Sequence, residues 1–153
     1  MPAAVEAAPL LLREDADGIA TITLNRPAAR NSLSYVMLET LETTLSGLAE
    51  DRSVRVVVLA AAGPVFCAGH DLREIAAHHG DADGGRIFFE RAMAKCATVM
   101  QAITALPQPV IAAVQGVATA AGCQLVATCD LAVASSAATF CTPGVDIGLF
   151  CST

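Results

Sequence analysis

The run Arg55-Val-Val-Val-Leu-Ala60 constrains the fold of this chain more than any other. It is short, continuous and apolar, as expected of a strand covered on both faces. Strands of that kind pair in parallel and need long crossover connections. The neighbouring segments supply them. Gly18-Ile-Ala-Thr-Ile-Thr-Leu24 alternates and is rich in β-branched residues, which predicts a strand. Asn25 to Asn31 reads as a turn, and Ser34 is placed to cap a helix. Leu38, Leu41, Leu45 and Leu48 then recur at helical spacing, with Glu39, Glu42, Ser46 and Glu50 off that face. After a polar loop over 76–85, Phe89, Met93, Cys96, Met100 and Ile103 predict a second long helix ending near Leu106. Pro107-Gln-Pro109 closes it, because residues before proline leave the α region. Val110-Ile-Ala-Ala-Val114 is the next strand, and a helix from about Ala121 leads into another, Leu131-Ala-Val-Ala134. The order β-α-β-α-β-α-β predicts an α/β fold with a largely parallel sheet and right-handed crossovers. No internal repeat is visible, so residues 1–153 read as one domain with 1–15 as a flexible lead.

Composition narrows the function. With 54% apolar and 16% charged residues the chain encodes a packed domain. One Tyr, five Phe and no Trp leave aliphatic residues to fill the core. Net charge is −6 with no Lys/Arg cluster, so no nucleic-acid partner is expected. The apolar run Pro9–Leu12 is too short for a membrane span and lacks a basic leader, so neither export nor a membrane partner is expected. Cys67, Cys96, Cys123, Cys129, Cys141 and Cys151 show no CxxC spacing. They read as reduced, mostly buried thiols of a cytoplasmic protein, with Cys151 the exception.

Two segments carry chemistry. Gly63-Pro-Val-Phe-Cys-Ala-Gly-His-Asp-Leu-Arg-Glu74 and Gln115-Gly-Val-Ala-Thr-Ala-Ala-Gly-Cys-Gln-Leu-Val-Ala-Thr-Cys-Asp130 each read as a buried strand, a Gly/Ala-rich turn and a helix start. Such turns leave backbone N–H groups unpaired. Two of them facing one point would make an oxyanion hole. His78 and His79 with His70 could suggest a metal, but no carboxylate or Cys stands at ligand spacing, so none is expected.

From Gly18 to Phe150 the chain resembles the enoyl-CoA hydratase/isomerase (crotonase) family. The marks are Asn25-Arg-Pro27 with Asn31, Phe66-Cys-Ala-Gly-His-Asp71, Pro109 to Gly116, Ala121-Gly-Cys-Gln-Leu125, Cys129-Asp130 and Thr142-Pro-Gly-Val-Asp-Ile-Gly148. Within the family it is similar to the group called enoyl-CoA hydratase domain-containing proteins. The resemblance implies a crotonase-like (ClpP/crotonase) fold whose C-terminal helical part is missing, since family members continue beyond this length. It also implies an acyl-CoA thioester as partner, with coenzyme A carried by the substrate and no separate cofactor. A homotrimer or dimer of trimers is implied for the full-length protein.

By position, the implied carbonyl-oxygen donors are the N–H groups of His70 and Ala121. Ala68, Gly69, Asp71, Leu72, Arg73 and Gly122 are implied to line the substrate and CoA site, Arg73 near the CoA phosphates. Capping its own helix is the better-supported role for Asp71. The His78-His79 loop matches the segment over the CoA adenine. Gln124 and Gly144 stand where hydratases of the family carry catalytic glutamates. A Gln can hold water but cannot take its proton, so hydration of a simple enoyl-CoA is expected to be very slow. Ala-Gly-His-Asp also resembles family decarboxylases acting on malonyl-type thioesters, which would give the His70 side chain a role. A catalytically weak acyl-CoA-binding protein is the further alternative.

Overall fold

The computed structural model describes residues 8–147. Its main sheet has five strands in the order β1-β2-β3-β5-β7: β1 Leu11–Ala16, β2 Ile19–Leu24, β3 Val56–Ala61, β5 Val110–Val114 and β7 Leu131–Ala134. β2, β3, β5 and β7 pair in parallel, and β1 runs antiparallel to β2 across a tight turn at Asp17-Gly18. Strand β1 falls largely within the stretch read as a flexible lead, of which residues 1–7 lie outside the described residues. Its sequence Leu-Leu-Arg-Glu-Asp-Ala has no apolar alternation, because as an edge strand it faces solvent over most of its length.

A second, three-stranded parallel sheet was not expected. It contains β4 Val65–Cys67, β6 Val117–Thr119 and β8 Thr139–Cys141, in the order β4-β6-β8. Each strand directly follows a strand of the main sheet, so β3, β5 and β7 each bend and continue as β4, β6 and β8. The bends at the first two are clamped together. The Gln115 amide donates to the carbonyls of Ala61 and Gly63, at 2.9 and 2.8 Å.

The helices are α1 Tyr35–Glu50, α2 Leu72–Ala77, α3 Arg86–Ala105 and α4 Ala121–Thr128. Ser34 caps α1 by accepting from the Met37 N–H, and the buried face is Met37, Leu38, Leu41, Leu45 and Leu48, as the leucine spacing predicts. In α3 the buried face is Ala92, Cys96, Val99, Met100 and Ile103. Phe89, assigned to that face from the sequence, is 49% exposed. In the first turn of α3, Phe88 is the ring that packs, stacked on His78 with centroids 3.8 Å apart.

Phe66, Leu24, Leu33, Leu38 and Leu125 are among the fully buried side chains that join α1, α3 and α4 to the two sheets. At the centre, α4 meets β4 backbone to backbone. A Cβ on Gly122 would overlap the Cys67 carbonyl oxygen. Because that neighbour is main chain, it cannot turn aside. Gly122→Ala is therefore expected to destabilise by about 2–3 kcal/mol, at the upper end for overpacking. Urea denaturation of the variant against the parent measures this, and an unchanged midpoint would refute the tight contact.

Candidate active site at the paired turns

The two chemically suggestive segments lie side by side. β4 and β6 pair in parallel, so the turns after them leave the same sheet edge together. Gly69, at φ +83, faces the second turn, and a Cβ there would sit 3.0 Å from the Ala120 Cβ and 3.2 Å from the Ala121 nitrogen. Only a residue without a side chain that tolerates positive φ suits this place.

His70 forms an isolated parallel bridge with Leu33: the Leu33 N–H donates to the Gly69 carbonyl at 2.8 Å, and the Asp71 N–H donates to the Leu33 carbonyl at 3.2 Å. In that pattern the flanking peptide groups face Leu33, and the N–H of His70 itself faces away. Ala121 is the first residue of α4, where an N–H has no acceptor within its helix. Among the described residues no acceptor takes either N–H. The geometry thus leaves two donors on adjoining turns, one of them at a helix N-terminus.

Ala120 presents the second donor. It has φ 51 and ψ −127, a combination that residues with a Cβ rarely adopt. Its N–H is held by the Cys141 carbonyl at 2.9 Å, and its own carbonyl accepts from the N–H groups of Cys123 and Gln124. Nothing in the sequence distinguishes Ala120 from its alanine neighbours.

The remaining candidate residues divide. Ala68 donates its N–H to the Arg30 carbonyl at 3.1 Å. Asp71, 8% exposed, caps α2 by accepting from the N–H groups of Arg73 and Glu74, which bears out the capping role. Burial would raise its carboxyl, but the hydrogen bond from Arg26 and the two cap N–H groups outweigh that and hold it below the usual carboxylate range. Leu72, 75% exposed, and Arg73 both face outward, Arg73 beside a shallow pocket with Arg26, Val36 and Glu74. Gln124 lies half-buried on α4. Gly144 lies in the 3-10 turn Pro143–Ile147, tethered to the site through Cys141.

Among the described residues no cluster of three His, Cys, Asp or Glu side chains could hold a metal, and no helix is long and apolar enough to cross a membrane. Burial pushes the Cys67 thiol up to about 12, so it is no nucleophile at neutral pH. Cys67 and Cys96 are buried and Cys123 and Cys129 partly so, while Cys141 is exposed; Cys151 lies outside the described residues.

A family model for enoyl-CoA hydratase/isomerase matches residues 14–153. The chain belongs to this family. Enoyl-CoA hydratase domain-containing protein 3, mitochondrial, of Danio rerio is 50% identical over 144 residues, covering 94% of this chain and 48% of the relative. The crystal structure of an enoyl-CoA hydratase of Mycobacterium smegmatis superposes with TM-score 0.85 at 56% identity, covering 94% of this chain and 55% of that one. Human enoyl Coenzyme A hydratase domain-containing protein 3 superposes with TM-score 0.84 at 44% identity, over 94% and 55%. The crotonase-like fold is thereby established, and the chain spans about half the length of these relatives.

The cytoplasmic location expected from composition is overturned. The relatives from Danio rerio, Rattus norvegicus and Homo sapiens, at 45–50% identity, are named as mitochondrial proteins. Reduced thiols and a polar surface describe a folded core in either compartment, so composition could not separate them.

The His70 ring gives a pH signature. Burial pushes its imidazole below the ordinary 6.5, and its Nε2 is buried without a partner among the described residues. Below 6.5 the unfolded chain takes up a proton that the folded chain resists, so stability is full above that pH and falls as pH drops through it. His70→Asn is expected to flatten this dependence. Urea midpoints at pH 7.5 and 5.5 measure it, and equal pH slopes in parent and variant would exclude His70 as the source.

Proposed function

We propose that this chain binds an acyl-CoA thioester, with the thioester carbonyl oxygen accepting from the His70 and Ala121 N–H groups. The observation that carries this reading is the pair of adjoining donors with no acceptor among the described residues. Family membership supplies the substrate class. As an enolate forms, negative charge grows on that oxygen, so fixed donors stabilise the transition state more than the ground state. One such donor typically contributes about 2.7–4 kcal/mol. Peptide dipoles already held in place need no reorganisation as the charge develops. Coenzyme A would arrive with the substrate, so this reading requires no separate cofactor, and it includes assembly as a homotrimer or a dimer of trimers.

The reaction itself is a separate matter. Hydration needs one group to activate water and another to deliver a proton. Gln124 and Gly144 supply neither, which supports a poor hydratase or an acyl-CoA-binding protein of low activity. The Ala-Gly-His-Asp turn favours a second reading, decarboxylation of a malonyl-type thioester, which needs stabilisation of the enolate but no strong base.

Calorimetric titration with butyryl-CoA, using free CoA as control, tests the binding. The thioester is expected to bind about tenfold more tightly, equivalent to ~1.4 kcal/mol; equal affinities would refute the carbonyl contact. Crotonyl-CoA hydration tests the chemistry. The double variant Gln124→Glu, Gly144→Glu is expected to gain about 100-fold or more over the parent, the typical worth of acid–base catalysis. A double variant that still binds the thioester but gains no rate would remove the argument from the missing carboxylates.

A further inference from the structure

The segment from Arg26 to Leu33 joins β2 to α1 and does something its length alone does not require. It is moulded around the turn that carries the His70 N–H. Arg26 Nη1 donates to Asp71 Oδ2 at 2.6 Å and to Ser32 Oγ at 3.2 Å, and Ser32 Oγ donates to the same carboxylate oxygen at 3.2 Å. Backbone bonds flank this cluster: Ala68 N–H to the Arg30 carbonyl, Leu33 N–H to the Gly69 carbonyl and Asp71 N–H to the Leu33 carbonyl. Asn31, fully buried at φ 51, fixes the segment from the other side. Its amide donates to the carbonyls of Ala62 and Val65, both at 2.8 Å, and its Oδ1 accepts from the Arg26 N–H at 2.8 Å.

We propose that Arg26 is a positioning residue for the His70 donor: through Asp71 it fixes the peptide plane that presents this N–H to the thioester carbonyl. The proposal rests on the oxyanion reading above. The Asp71 carboxylate is almost wholly out of solvent while Arg26 is about one-third exposed, so the guanidinium is the main compensating charge. The His70 N–H belongs to the Gly69–His70 peptide, whose carbonyl accepts from the Leu33 N–H, and Ser32 beside Leu33 shares the Asp71 carboxylate with Arg26; a carboxylate released toward water would loosen that anchor and let the peptide turn. Such a donor works only while it points at its acceptor. The Ala121 donor is held by different bonds, from Ala120 and Cys141, so loss of Arg26 affects one donor and not the other.

The test uses Arg26→Met and Arg26→Lys with two readouts. The first is the absorption of bound 2,4-hexadienoyl-CoA, a conjugated thioester whose band moves to the red as its carbonyl is polarised. The second is amide exchange resolved along the chain. Arg26→Met is expected to lose about half of the red shift and about threefold of the thioester's preference over free CoA, one donor of the two. Its exchange should rise over residues 68–71 and stay at the parent rate in α1 and β5. Arg26→Lys should recover part of the red shift, because it restores charge without the planar fork. An unchanged shift and unchanged exchange at 68–71 would overturn the proposal, as would exchange raised across the whole fold. Absence of a red shift in the parent would instead sink the oxyanion reading. In that case the exchange pattern alone decides whether Arg26 holds the turn.

Discussion

The approach of α4 to β4 sets the dimensions of the candidate site. With no side chain at Gly122, the first turn of α4 lies directly against the Cys67 carbonyl. From this contact the rest of the local geometry follows. Gly69 comes within reach of the Ala121 nitrogen, and Ala120 must adopt a left-handed backbone to turn the chain from β6 into the helix. Between the turns the Ala120 methyl is what a Cβ on Gly69 would meet first, at 3.0 Å, with the Ala121 nitrogen just beyond it at 3.2 Å.

Such a site stores strain. Arg30, Asn31 and Ala120 all have positive φ without being glycine, and all lie in segments that build the two turns. Conformations of this kind cost on the order of 1–3 kcal/mol where the surrounding structure does not favour them. Asn31 relieves its own cost through three side-chain hydrogen bonds, since a short amide tolerates the left-handed region well. Ala120 has no such polar handle. It is held by the Cys141 carbonyl on one side and by its own carbonyl accepting from Cys123 and Gln124 on the other. The strain is therefore maintained by the fold around the site. That is the arrangement expected where peptide groups are aimed at a ligand and not at each other.

Much of this was legible in the sequence. The run Val56 to Ala60 marked a strand buried on both faces because it has no polar side, and the leucines of α1 marked their helix because their spacing matches its period. The two turn segments were legible for the same reason, being strand-like runs broken by small residues. Strand β1 was not, because an exposed edge strand has no apolar face to leave a pattern. The division into two sheets was hidden as well. Strands of three residues such as β4, β6 and β8 are too short to show periodicity, and the bends that create them are clamped by a side chain, Gln115, distant in sequence from the carbonyls it holds. Asn25-Arg-Pro27 and Asn31 stood out as a turn and as marks of resemblance. Their task depends on contacts with residues 62, 65 and 71, which no local pattern records.

Binding and reaction separate cleanly in such a site. Backbone donors have no side chain of their own, so changes at acid–base positions leave them in place. Proton transfer has no such protection, because it depends on particular side chains at particular places. Gln124 and Gly144 stand where the resemblance implies catalytic glutamates, and on the proposed reading they leave the donors in place but offer no group to move protons. On the reading proposed above, membership of the enoyl-CoA hydratase/isomerase family bears on how a thioester would be held more than on what would be done to it. What is left to such a site, on that same reading, is chemistry that a polarised carbonyl supports with little help from acid–base groups.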